Sequence, residues 1–233
     1  MAFPRRREVK LARILFVGAC ATPVLTLAAA LATRTGLLTP EVGYDLLARK
    51  ALFGLAVVGV LAGLGLAVIA LRDRGARWLA LIGLVVSLAT LGGFIWATGQ
   101  VARTVGEDVS TDLAEIPGFG VLARSRTAQG LPGTVGVQAC PGALPATTQA
   151  LPEAVVYELQ TRGVAVRRAG VTGVYGSRRG FWFGFTHDVV IRIRPGRTDI
   201  RVAARDGRPH GNEACRLATE LSTALRVGER ASN

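Results

Sequence analysis

The 233-residue chain is 50% apolar, carries a formal net charge of +12 and has a mean hydropathy of +0.37. This excludes an ordinary water-soluble domain and implies a membrane part. The basic excess is also not a nucleic-acid stripe, because residues 1–103 hold 12 basic and 4 acidic side chains whereas residues 104–233 hold 16 and 12, so most of it lies around the apolar stretches.

Three stretches, about residues 11–33, 51–71 and 78–98, approach the roughly 20 apolar residues that a helix needs to cross a bilayer. The first follows "RRREVK" and resembles a signal peptide at its start, but its apolar run is long and has Pro23 in its middle, which favours a retained helix. The other two contain no Asp, Glu, His, Lys or Arg, which argues against a transporter or pump. Gly59, Gly63 and Ala67 on one helix, and Gly83 and Ser87 on the next, suit close packing of an antiparallel helix pair. Arg5, Arg6, Arg7 and Lys10 flank the first stretch, and Arg72, Arg74 and Arg77 crowd the turn between the second and third. The loop from residue 34 to 50 has three basic residues diluted by Glu41 and Asp45. The positive-inside rule then places the N-terminus in the cytoplasm and everything after the third helix outside, in a periplasm where the cell has two membranes.

From about Gly106 the composition becomes mixed, and up to about Pro145 it is loop-like and rich in Gly, Pro and Thr. A helix is predicted over residues 151–162, with Pro152 in its first turn and Gly163 as its stop. "VAVRRAG", "VTGVYGS", "DVVIRIRP" and "TDIRVAAR" read as strands, the last two joined as a hairpin through "PGRT". A final helix starts near Asn212, with Ala214, Leu217, Ala218, Leu221 and Leu225 on one face. The expected architecture is an α-helical membrane anchor of three transmembrane helices (residues 1–103) plus an extracytoplasmic α+β domain (104–233), a small antiparallel sheet with two helices. Cys140 and Cys215 are the two cysteines of that domain. In an oxidising compartment they would either form a disulfide, contributing roughly 4 kcal/mol by constraining the unfolded chain, or stay as two separately buried thiols.

The stretch "RRGFWFGFTHDVVIRIRP" carries the most chemistry. With a four-residue turn over residues 195–198, Arg194 faces Asp199 and Arg192 faces Arg201, leaving Arg192, Arg194, Arg201 and Arg205 on a face opposite the Val and Ile residues. Such a face is either a site for acidic head groups or a partner's carboxylates, or a solvated surface balanced by Asp188 and Asp199. Extended, Phe181, Phe183 and Phe185 share a face and suit core packing, while Arg178, Arg179 and Trp182 together resemble a membrane-interface anchor.

Catalytic signals are weak. "GSRRG" is not a nucleophile elbow, Ser177 has no evident base, and His187 and Asp188 would point to opposite faces of a strand. His210, Glu213, Cys215 and Cys140 would need to converge to hold a metal. No motif implies a cofactor or metal.

The three membrane helices followed by "DVSTDL" and "IPGF", then "FWFGFTHDVVIRIRP" and "DIRVAARDGR" ahead of an amphipathic helix, resemble the bacterial domain-of-unknown-function 1499 family. The resemblance covers the domain nearly end to end. It matches a family Thr-Asp pair at Thr111 and Asp112, an aromatic-Gly-Phe segment before a paired-acid strand start, and an Arg-Ser-x-Ser-Arg-x-Gly-Arg run. Here His187-Asp188 stands in place of the paired acids, and Val202 and Ala204 in place of the two serines between Arg201 and Arg205. The resemblance implies no established activity. The expected function is a non-enzymatic accessory or interaction protein of the bacterial inner membrane whose external domain contacts a membrane-protein partner or anionic lipid, with no nucleic-acid partner. A binding module for a small apolar or anionic envelope ligand, and a hydrolase with an unrecognised site, are the alternatives.

Overall fold

The structure, a computed structural model, describes residues 5–72, 74–104, 106–126, 133–208 and 211–232. It forms two compact units, one running to Thr98 and including Trp182–Gly184, the other comprising Gly99–Phe181 and the chain from Phe185 onward.

The first unit contains α1 (Arg5–Thr35), α2 (Leu52–Arg72) and most of α3 (Arg77–Ala102). All three helices are long and apolar enough to cross a membrane. Their packing is the reverse of a water-soluble bundle. Ala12, Ala19, Ala56, Gly83 and Ser87 are buried, whereas Ile14, Val17, Val58, Leu61 and Val85 are exposed. Lipid tails offer large apolar side chains as good an environment as protein does, so helices associate in a bilayer through small residues that bring backbones together. Gly63 shows this directly: a Cβ there would stand 3.2 Å from Leu84 Cα and 3.0 Å from Ser87 Oγ.

The second span starts earlier than its hydropathy suggests. An 11-residue π-helix, Glu41–Ala51, runs straight into α2. At its start the chain lies so close to α1 that a Cβ on Gly43 would overlap the Thr33 side chain. Trp78 lies at the start of α3 and Trp96 further along it, 74% and 68% exposed. Their separation along a helix is about 27 Å, close to the hydrocarbon thickness of a bilayer.

The second unit is a five-stranded antiparallel sheet in the order β1-β5-β4-β3-β2, with β1 (Asp108–Ser110), β2 (Ala165–Gly170), β3 (Gly173–Arg179), β4 (Thr186–Arg194) and β5 (Arg197–Ala204). Strands β2 to β5 form a meander, and β1 adds to its β5 edge. Two helices, α4 (Pro152–Thr161) and α5 (Glu213–Ser232), complete it. Alternation sends Val174, Val189, Ile191, Ile193, Ile200 and Val202 to one face, where they pack with Val155 and Leu159 of α4 and Leu217, Ala218 and Leu221 of α5. Pro152 opens α4, and Gly163 follows it at φ +71°, a left-handed position that a side chain would strain. Asn212 precedes α5 at φ +65°, outside the extended conformation of an ordinary N-cap, and its Nδ2 donates to the Arg103 carbonyl.

The loop-like segment before α4 is held by specific bonds. Cys140 and Cys215 are joined by a disulfide with their Cα atoms 5.7 Å apart. The Leu144 N–H donates to Ser222 Oγ, which returns a hydrogen bond to the Leu144 carbonyl at 2.7 Å. Thr198 Oγ1 donates to the Thr148 carbonyl and accepts from the Ala150 N–H, both at 2.9 Å.

Two sequence expectations are corrected here. The β4–β5 turn is the two-residue Pro195-Gly196, with Arg194 paired to Arg197 and Gly196 at φ +69°. Proline fixes the first turn position and glycine takes the left-handed second one, so "PG" closes the hairpin without the four-residue loop. The aromatic segment is a turn, not a strand. The Gly180 N–H donates to the Phe185 carbonyl at 2.7 Å, and Phe183 and Gly184 take φ of +55° and +68°. The alternation that would have buried the phenylalanines on one face is therefore lost, and Phe181 and Trp182 are 67% and 61% exposed.

Candidate functional site

The sheet face opposite α4 and α5 carries the arginines. The observed register sets Arg192 across from Asp199 and Arg201 across from Val190, not Arg192 across from Arg201. The like-charge pair is replaced by a network of guanidinium groups around buried aspartates. Asp199, fully buried, accepts from Arg192 Nη2 at 3.0 Å, Arg194 Nη2 at 2.6 Å and Arg197 Nε at 2.7 Å. Asp112 Oδ2 takes Arg192 and Arg194 at 2.9 Å each, while its Oδ1 accepts the backbone N–H groups of Ala114 and Glu115. The Glu115 N–H, together with Arg194 and Arg197, holds the Asp112 carboxyl below the ordinary carboxylate value against the cost of burial.

Arg201 grips Asp108 with two parallel bonds, Nε to Oδ1 at 2.9 Å and Nη2 to Oδ2 at 2.5 Å, and gives Nη1 to the Pro117 carbonyl. Asp188, also fully buried, is shared by Arg205, whose Nη2 is 2.6 Å away, and Arg126 at 3.1 Å. Arg126 also reaches the Ala204 carbonyl, and burial lowers the pKa of its guanidinium. The Phe119 ring carries both Arg126 and Arg201, their guanidinium carbons 3.7 and 3.9 Å from its centroid.

Of the four arginines expected to recognise a partner, Arg192, Arg194 and Arg201 are thus engaged by carboxylates of the same domain, Arg201 also by the Pro117 carbonyl. Arg205 is anchored through Nε and Nη2 to Asp188, and its Nη1 makes no bond among the described residues. Arg178 is likewise engaged within the domain. It pairs with Glu213 and lies 3.7 Å from Glu220, tying β3 to α5. Arg178 and Arg216 hold the Glu213 carboxyl below its ordinary value despite burial. Arg179 and Trp182 are exposed. His187 is buried beside Glu107, its Nε2 3.3 Å from Oε2. His210 lies outside the described residues, and the disulfide removes both cysteines from any thiolate ligand set. Among the described residues no three His, Cys, Asp or Glu side chains converge as metal ligands.

At the β2 edge the same face opens into a cleft of about 320 Å³, lined by Val121, Leu122, Ser125, Arg167, Arg168 and Arg205. One wall is a 3-10 turn, Gly120–Ser125, seated on β3 through Gly120 at φ +50°, where a Cβ would meet the Tyr175 ring at 2.8 Å. Sequence reasoning passed over Arg167 and Arg168, although two consecutive arginines in a strand were a visible break in alternation. It also passed over Arg126, which lies far from the hairpin in sequence. Comparison with protein-family models, curated proteins and solved structures found no match.

Proposed function

We propose that the chain is a multi-pass protein of the bacterial cytoplasmic (inner) membrane, with its N-terminus in the cytoplasm and a non-enzymatic extracytoplasmic domain that contacts lipid head groups. The inside-out packing of the helices and the short-loop arginines support membrane residence and this orientation. The disulfide of the α+β domain suits an oxidising compartment. The resemblance to the domain-of-unknown-function 1499 family is consistent with this arrangement.

The observation that carries the lipid contact is the exposure of Phe181 and Trp182, each in a stretch of sequence that also holds exposed Arg179. An exposed aromatic pair beside a cation is the side-chain chemistry of the headgroup zone, where the ring is half solvated and the guanidinium meets phosphate. The arginine–aspartate network serves the fold, not the contact. The test uses full-length protein with Trp78→Phe and Trp96→Phe, in nanodiscs containing lipids brominated near the headgroup. Quenching of the remaining Trp182 fluorescence is expected; an unquenched Trp182 overturns the lipid contact. A membrane-protein partner is the competing occupant, and it would show as quenching only when that partner is absent.

A further inference from the structure

We propose that the bulge in β2 builds a binding site for a phosphoryl group, in the cleft between Arg167, Arg168 and Arg205. The ladder between β2 and β3 pairs Val166 with Gly176 and Arg168 with Tyr175, so Arg167 is an extra residue without a partner. In a regular strand neighbouring side chains alternate. Val166 packs against the helix-covered core, so an unbroken alternation would return Arg168 to that apolar face. The bulge instead puts Arg168 in register with Tyr175 and lets both arginines line one cleft.

That arrangement gathers like charges, which repel unless a counter-charge lies between them. Neither Arg167 nor Arg168 has a carboxylate partner among the described residues, and none of the six lining residues is acidic. The third cation, Arg205, is fixed from behind by Asp188, a carboxylate it already shares with Arg126. Elsewhere on this face Arg126, Arg192, Arg194, Arg197 and Arg201 are each matched to aspartate, and in the cleft Arg167 and Arg168 are not. A charged edge strand resists unwanted pairing, but an arginine on either side of a regular strand would do that without a bulge. A bidentate arginine satisfies a carboxylate's two oxygens, whereas three guanidinium groups suit the three oxygens and higher charge of a phosphoryl group. Val121 and Leu122 give the cleft an apolar wall, and 320 Å³ is at the small end of ligand sites, enough for a phosphate with a short organic part. Phospholipid head groups and free phosphate esters both present this chemistry.

Full-length protein in a neutral detergent at low ionic strength is titrated with glycerol 3-phosphate, followed calorimetrically and by thermal shift. Saturable binding is expected, weakened at least tenfold in Arg167→Gln/Arg168→Gln, whose melting temperature without ligand is unchanged or raised. A second arm takes native mass spectra of protein extracted from membranes. Phospholipid retained by the wild type and lost from the double variant assigns the site to lipid head groups; soluble binding without retained lipid assigns it to free phosphate esters. Absence of both, or binding insensitive to the double substitution, overturns the proposal. Neither arm involves Trp182, so the two proposals fail separately.

Discussion

Arg192 stands directly across the β4–β5 ladder from Asp199, its Nη2 3.0 Å from a carboxylate that has no solvent exposure at all. A buried aspartate with three arginines around it is stable only while those donors remain, because its lost hydration is replaced by them alone. The arginines of this hairpin are therefore tied into the fold by the domain's own carboxylates.

Replacing Arg192 and Arg201 together with glutamine should destabilise the domain. Arg201→Gln leaves buried Asp108 without its two-bond partner, and Arg192→Gln removes a donor from both Asp112 and Asp199. Breaking a buried pair from one side costs about 3 to 5 kcal/mol. Arg201→Gln should approach that figure, and Arg192→Gln should cost less because Arg194 and Arg197 remain on Asp199. Thermal unfolding of the full-length protein in detergent checks the order.

Acid should loosen the domain through Asp112 and Glu213. Both carboxyls are held below their ordinary values in the folded protein, so the unfolded chain binds their protons more readily. Their contribution is complete above the ordinary carboxylate range near pH 4 and is lost as pH falls through the depressed folded values. Melting temperature followed downward from pH 6 should drop on that limb. Asp112→Asn and Glu213→Gln should each lower stability at neutral pH and flatten the limb.

The disulfide links the loop at Cys140 to the first turn of α5 across 75 residues. Cys140→Ser should remove roughly 4 kcal/mol in the chain-entropy picture and expose Cys215 to alkylating reagents. Untreated wild-type protein should resist alkylation at both positions until reduced.

In the membrane unit, Gly63→Val should lower thermal stability in detergent by about 1 to 3 kcal/mol, since the added atoms meet the Leu84 backbone. Gly92→Val on α3 is the matched control. A Cβ there meets nothing within 4 Å, and its effect should be small.

Topology is open to a direct assay. A reporter active only outside the cytoplasm should work when fused after Asn233 and fail when inserted at Gly75.

The three long helices were legible because twenty apolar residues leave few alternatives, and the meander because Val and Ile alternate over β4 and β5. The site was less legible for identifiable reasons. The hairpin register rests on a choice between a two-residue and a four-residue turn, and that two-residue shift decides whether Arg192 meets Arg201 or Asp199. Strand β1 has only three residues, too few for periodicity to register. Phe183 adopts a left-handed backbone that its residue type disfavours, so an aromatic run that reads as extended folds back as a turn. Asp108 and Arg201 are 93 positions apart, and no local pattern joins them.

That separation also bears on the order in which the domain is completed. Strand β1 follows α3 after only a few residues and bridges Val135 through Val109, yet its three ladder pairs are all with the last strand, at Arg201, Val202 and Ala203. During synthesis β1 can bridge Val135 once that residue emerges, but the Asp108 carboxylate must wait for Arg201 until the meander is complete; α5 and the second cysteine come later still. Closure is thus a late, non-local event of high contact order, and such pairings form slowly. A chain halted before β5 would present an open edge and an unneutralised aspartate, features that favour degradation or wrong pairing over partial function.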